Sequence, residues 1–204
     1  LESRPPAGDE TAMSRHTGTT RGATRPIRFG SGGWRGVLAD EITLDRVRAA
    51  LAGIAGWLRE SGADGPLIVA RDRRFFGPVL VGLAVAELAS AGFRVRRVDE
   101  PVPTPVVAHA MRRGRAALGL VFTASHNPPI DHGLKLVGPG GAMLGRGATE
   151  RIEQLAAQAL RRSATAGKHA AAPKRRERGV VPARPFDPRP RYLADWLRLL
   201  DTDA

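Results

Sequence analysis

The sequence predicts an α/β fold, a sheet with helices on both faces. Two apolar runs, Leu67-Ile68-Val69-Ala70 and Ala117-Leu118-Gly119-Leu120-Val121-Phe122, have the character of buried strands. Around them lie stretches with apolar residues at helical spacing, punctuated by glycine and proline. Strands alternating with helices build layered α/β domains. With 204 residues and 42% hydrophobic content, the chain suffices for one sizeable domain plus tails, or one domain and part of a second.

Residues 1–24 are polar and rich in Pro, Gly, Ser and Thr; they read as a disordered tail. They lack an apolar core segment and so are not a secretory signal. Phe29–Gly36 is turn-rich. Thr43 is placed to cap a helix whose inner face is Leu44, Val47, Leu51, Ile54 and Leu58, with Gly62 ending it. The strand 67–70 follows. Pro78 fits the first turn of a second helix, with Leu80, Leu83, Ala84, Leu88 and Ala91 inward and Gly92 as its stop. Phe93–Val98 reads as a strand. Pro103-Thr104-Pro105 precedes a short helix through Arg112, then come the strand 117–122, a polar loop and a strand near Leu134–Val137. A helix from near Thr149 turns Ile152, Leu155, Ala156 and Ala159 inward. A basic, Pro- and Ala-rich linker spans 163–190. Residues 191–204 hold an amphipathic helix, Tyr192–Leu200, with no later element to cover it. The folded unit is thus expected over 25–162.

No apolar run approaches the roughly 20 residues that span a bilayer. The chain has no cysteine, which excludes disulfides, thiol nucleophiles and thiolate metal sites; a cytoplasmic location is the expectation. The net charge of +12 points first to nucleic acid, but a net +8 of it lies between Arg161 and Arg191. That stretch has Phe186 as its one aromatic for base stacking, so no useful nucleic-acid binding is expected at physiological salt.

The most informative stretch is Thr123-Ala124-Ser125-His126-Asn127-Pro128, at the end of a buried strand, where open α/β sheets place their chemistry. A serine hydroxyl needs a base, or must carry a phosphoryl group, to be chemically useful. A hydrolase elbow would read G-x-S-x-G, which this loop does not. In extended backbone the adjacent His126 points away from Ser125, against a Ser–His pair. An isolated Ser-x-Asn is an ordinary turn. Lys135, between Leu134 and Leu136, is either a cation for a phosphate or a solvated edge-strand lysine. The glycines around Arg35, Gly33 among them, could let backbone amides and a guanidinium approach an anion. In Arg71-Asp72-Arg73-Arg74, an Asp–Arg pair bracing neighbouring loops competes with ligand contact. His126, Asp131 and His132 have the wrong spacing for a familiar metal site.

In this order the motifs resemble the first domain of the α-D-phosphohexomutases, the phosphoglucomutase and phosphomannomutase superfamily. Phe29-Gly30-Ser31-Gly32-Gly33-Trp34-Arg35-Gly36 is similar to the opening F-G-T-S/D-G-x-R-G. Ala70-Arg71-Asp72-Arg73-Arg74 is similar to G-x-D-x-R, and Pro103-Thr104-Pro105 to P-T-P. Residues 123–128 match the phosphoserine loop T-A-S-H-N-P in full, and Gly133-Leu134-Lys135 resembles G-I/F-K. The resemblance runs from about Ile27 to Ala159, and residues 186–200 look like the linker and first helix of a second domain.

The resemblance implies a mixed sheet in an α/β/α sandwich and a phosphoryl group on Ser125. That group would pass to a hexose monophosphate and return from the bisphosphate, interconverting hexose 1- and 6-phosphates. It implies Mg2+ bound through the phosphoryl group, a sugar bisphosphate activator, and partnership with domains II–IV. Arg35, Lys135 and His126 would be catalytic, Lys135 as acid or base; Asn127, Gly33 and Thr123 would hold substrate or phosphate. Ser31, Gly32, Ala70 and the pair Asp131-His132 depart from the family pattern. The family's D-x-D-x-D-R loop, sugar-selecting loop and phosphate loop are absent from these 204 residues. A fragment inactive alone is therefore expected, with a retired mutase domain binding phosphosugar or protein as the alternative.

Overall fold

The computed structural model describes residues 25–165 and 183–200. The expected tail, most of the linker and the last four residues lie outside them. Strands β1 (Trp34–Val37), β2 (Leu67–Arg71), β3 (Val95–Arg97), β4 (Leu118–Phe122), β5 (Asp131–Val137) and β6 (Arg184–Pro185) form one mixed sheet in the order β1-β5-β4-β2-β3-β6. β2 pairs in parallel with β3 and β4, and β3 with β6, whereas β5 is antiparallel to both β1 and β4. Helices α1 (Leu44–Glu60), α2 (Gly77–Ser90) and α4 (Arg146–Thr165) cover one face. Helices α3 (Thr104–Arg113) and α5 (Arg189–Leu197) lie on the other. This is the expected α/β/α sandwich.

Local chemistry accounts for the helix ends. The Thr43 hydroxyl accepts from the Arg46 amide at 3.3 Å, Asp45 sits in the first turn and Arg59 in the last, both complementing the helix dipole. Val47, Leu51, Ile54 and Leu58 are buried as the periodicity requires. Leu44 is not; at the first position of the helix it remains 36% exposed, outside the packed stripe. Gly53 permits the close crossing of α1 and α4, since a Cβ there would lie 2.6 Å from the Ile152 carbonyl oxygen. Pro78 sits in the first turn of α2, and Gly92, at φ +92°, follows its end.

Four further expectations change. Residues 34–37 form strand β1 rather than a turn, because pairing with β5 in the register Trp34↔Leu134, Arg35↔Gly133 supplies what local propensity lacks. β5 is interior, between β1 and β4, so Lys135 is not an edge lysine. Within the expected linker, Arg184–Pro185 adds an edge strand to β3, and the Arg96 guanidinium lies 5.4 Å from the Phe186 ring. The last helix is partly covered: Tyr192 packs edge-on against His109 of α3, while Leu193, Trp196 and Leu197 stay exposed. No helix among the described residues is long and apolar enough to cross a membrane.

Candidate functional site

β4 is buried at every position and ends at Phe122, level with the end of β2 at Arg71. The loop that follows carries Ser125, exposed, with φ +59°. That left-handed conformation is uncommon for a residue with a Cβ and needs support from its surroundings. Buried Thr123 supplies part of it: its Oγ1 accepts from the Ser125 amide at 2.9 Å, and its own amide donates to the Gly133 carbonyl at 3.0 Å. The Asn127 amide closes the turn on the Ala124 carbonyl at 3.2 Å.

Arg74 supplies the larger part. Its Nη1 donates to the carbonyls of Pro128 and Asp131 at 2.7 and 2.9 Å, and its Nη2 to those of Ser125 and Asn127 at 2.9 and 2.6 Å. Asp72 holds Arg74 in turn, accepting from its backbone amide at 2.9 Å and facing its Nε at 3.4 Å. The Asp72 amide donates to the Phe122 carbonyl at 3.1 Å, tying this strut to the end of β4. The sequence could be read as an Asp–Arg brace here; that one guanidinium gathers four carbonyls could not.

Arg35 reaches the same loop from β1. Its Nη1 donates to Asn127 Oδ1 at 2.9 Å and its Nη2 to the Gly32 carbonyl at 3.3 Å, while its buried Nε has no partner among the described residues. Asn127 Nδ2 donates onward to Asp131 Oδ2 at 2.7 Å. Gly133, opposite Arg35 in the register, makes this possible: a Cβ there would strike the Trp34 and Thr123 carbonyls and lie 3.2 Å from Arg35 Cγ. Lys135, two residues along β5, shares that face and is half-buried. Gly33, at φ +98°, lets β5 pass close by; a Cβ there would lie 2.5 Å from the Leu134 carbonyl oxygen and 3.0 Å from Lys135 Cγ. Burial pulls the Lys135 ammonium below its ordinary range, the Arg35 cation pulls it further, and Asp72 opposes both.

Ser125, Asn127, Asp72, Arg73, Arg74 and Pro103 line a cleft of about 490 Å³. Thr123, Arg35, Gly33 and Lys135 do not line it: Thr123 reaches it through the Ser125 amide and Arg35 through Asn127, while Gly33 and Lys135 pack together beside Arg35. His126 is exposed and does not line the cleft. His132 is buried at 1% exposure on the opposite face of β5; its Nδ1 accepts from the Gly133 amide at 2.9 Å and its Nε2 has no partner among the described residues. Burial holds its imidazolium below the usual range, with the Gly133 carbonyl, 3.4 Å from Nδ1, and Asp72 opposing and Arg74 reinforcing. The described residues contain no group of three or more His, Cys, Asp or Glu that could hold a metal ion. A metal site from His126, Asp131 and His132 is thus not formed. Arg74, Asp131 and Gly133 stand in segments that the sequence singles out, but the contacts that bring them to the Ser125 loop are not legible there. Their contacts span strands and loops, and only the repeated Arg-Asp pattern at 71–74 hinted at a brace.

Residues 26–162 match the family model for phosphoglucomutase/phosphomannomutase, alpha/beta/alpha domain I. The phosphoglucosamine mutase of Mycobacterium leprae (strain Br4923) is 40% identical over 129 residues, 62% of this chain and 28% of the relative. That of Rhodococcus jostii (strain RHA1) is 38% identical over 141 residues, 68% of this chain and 32% of the relative. A Thermus thermophilus structure, provisionally named a phosphomannomutase, superimposes with TM-score 0.73 at 30% identity, covering 88% of this chain and 37% of that one. The chain thus spans little more than a third of the length of these relatives, or less.

Proposed function

This chain belongs to the phosphoglucomutase/phosphomannomutase family, and from that premise we propose that Ser125 is the phosphoryl carrier of a hexose phosphate mutase. The observation that supports this most is the conformation of Ser125. It is exposed at φ +59° on the loop after a buried strand and braced by Arg74, with Asn127 of the same loop bonded to Arg35 and Lys135 on the sheet face that carries Arg35. An ordinary solvated turn has no need of two converging guanidinium groups.

In the forward half-reaction a sugar hydroxyl attacks the phosphorus on Ser125 Oγ. The new P–O bond to the sugar forms as the P–Oγ bond breaks, and the sugar hydroxyl gives up its proton. Lys135, with its ammonium held below the ordinary range, is suited to take that proton in its neutral form and to deliver it to the departing Ser125 Oγ, and in the second half-reaction to carry the Ser125 hydroxyl proton to the departing sugar oxygen. The bisphosphate turns over and Ser125 Oγ receives the other phosphoryl group, regenerating the carrier. Arg35 places positive charge beside the transferring group and holds Asn127 in place. Magnesium is expected at the phosphoryl group, but the described residues alone do not form a site that fits it, and no step above depends on it.

The first substrate to try is glucosamine phosphate, from the names of the Mycobacterium and Rhodococcus relatives. Sugar choice and the grip on the second phosphate are assigned to segments corresponding to the remainder of those relatives. The test is a chimera in which residues 26–162 replace the matching part of the Mycobacterium leprae relative. Turnover with a sugar bisphosphate activator, phosphate recovered on the Ser125 peptide, and loss of both in Ser125→Ala are the expected results. Full turnover in Ser125→Ala would overturn the proposal.

A further inference from the structure

Arg74 is more than a loop brace. Ser125 C=O and His126 N–H belong to one trans peptide unit, in which the two groups point in opposite directions. Arg74 Nη2 holds that carbonyl at 2.9 Å, so the His126 N–H faces away from the guanidinium. It has no acceptor among the described residues, and Ser125 and His126 are both exposed. The neighbouring amides are occupied or missing. Ser125 N–H is bonded to Thr123, Asn127 N–H to Ala124, and positions 128 and 129 are prolines without N–H groups. One donor is left open next to the Ser125 side chain, and a guanidinium with a 13% exposed side chain fixes its direction.

On the reading of Ser125 as phosphoryl carrier, we propose that Arg74 is a positioning residue that aims the His126 backbone N–H at the phosphoryl group carried by Ser125. The ligand class is a phosphate monoester dianion, which accepts hydrogen bonds strongly through three oxygens. Arg74 does not touch the phosphoryl group. It acts by holding the peptide plane, and its bond to the Ser125 carbonyl polarises the same amide. A lysine cannot replace it, because one ammonium on a flexible stem cannot gather four carbonyls in a plane.

The experiment uses the 204-residue chain, nitrogen-15 labelled, with phosphoserine installed at position 125 during translation. In the parent, the His126 amide proton is expected to move downfield as the phosphate loses its second proton near about pH 6. In Arg74→Ala and Arg74→Lys that pH-dependent shift is expected to be lost, while amide dispersion elsewhere in the spectrum stays that of the parent. A shift kept in either folded variant, or absent from the parent, overturns the proposal. Should Arg74→Ala not fold, Arg74→Lys decides by the same criterion. The phosphoserine is installed rather than formed by catalysis. A missing amide shift therefore counts against Arg74, whereas an unlabelled chimera counts against Ser125 as carrier.

Discussion

The Arg35 guanidinium donates to the Asn127 carboxamide oxygen at 2.9 Å, across 92 positions of sequence. That bond joins the first strand of the sheet to the loop after the fourth, and Asn127 passes it on to Asp131. Arg35 thereby does two things: it brings a cation to the loop that carries Ser125, and it fixes the rotamer of the loop's carboxamide. Arg35→Lys retains the charge but loses the fork. A charge-assisted hydrogen bond is worth about 1.5–3 kcal/mol, so kcat/KM of the chimera is expected to fall roughly ten- to a hundredfold. An unchanged kcat/KM would show that Arg35 contributes charge alone.

Gly33 and Gly133 are places where a side chain has no room. Gly33→Ala adds a Cβ in the left-handed region, 2.5 Å from the Leu134 carbonyl oxygen. Such strain costs about 1–3 kcal/mol before any steric displacement. Denaturant titration of the chain should show a loss of that size or more, whereas Gly62→Ala, with nothing within 4 Å, should lose only the conformational part. Equal losses would mean that the approach of β5 to Gly33 is not tight.

Lys135 and Arg35 share a face of the sheet and repel each other. Burial is the larger cause of the lowered ammonium pKa and Arg35 the second. Arg35→Met should therefore move the Lys135 pKa part of the way back toward 10.5, not all of it. Side-chain NMR titration reads this directly. The proposed proton transfer would then need a higher pH in the chimera, so the alkaline-rising limb of its rate profile should shift up with the same variant. No movement of the Lys135 titration would remove Arg35 as a cause.

His132 is buried and its imidazolium is disfavoured, so the folded state binds its proton later than the unfolded state does as pH falls. The stability that this neutral histidine contributes is full above its ordinary value of 6.5 and declines as pH drops below it. Between about pH 7.5 and about pH 5, the parent chain should lose more stability than His132→Gln, which has nothing to titrate. Parallel losses in the two chains, measured by denaturant midpoint, would dismiss His132 as the acid-sensitive group.

Asp195 pins the last helix. Its carboxylate accepts from His109 Nε2 at 2.9 Å and faces Arg113 at 3.1 Å, both on α3. Partial burial raises its pKa, but His109, Arg113 and Arg191 outweigh that and keep it below the ordinary carboxylate range. Asp195→Asn should release α5, seen as faster amide exchange over residues 189–197 with exchange in β2 and β4 unchanged. The carboxylate's contribution is present above its ordinary value of 3.8 and fades as pH falls below it. Unaltered exchange in the variant would leave Tyr192 packing as the sole anchor.

The sandwich was legible because its signals are local. Thr43 caps α1 and Leu51, Ile54 and Leu58 repeat at helical spacing; Leu118–Phe122 is continuously apolar. The weak elements were those that local signals do not carry. β1, with Gly36 among its residues, forms because β5 pairs with it, and the two-residue β6 forms because β3 offers an open edge. The same division runs through the candidate site. Ser125, Asn127 and Lys135 stand out as residue types in a pattern, while the bond that joins Asp131 to Asn127 Nδ2 is visible in the structure alone.

The sequence by itself determined the α/β layering, the helix boundaries near Thr43 and Pro78, and the loop on which a reactive serine would sit. Those are consequences of periodicity, capping and turn chemistry, which act over a few residues. Tertiary structure alone decided that β5 is interior, that Gly133 clears a path for Arg35, and that Arg74 collects four carbonyls of the Ser125 loop. The reason is physical: the direction of a half-buried guanidinium or a peptide plane is set by partners more than 50 residues away, here from Arg74 to the loop at 125–131. No pattern within a single segment encodes where such partners arrive.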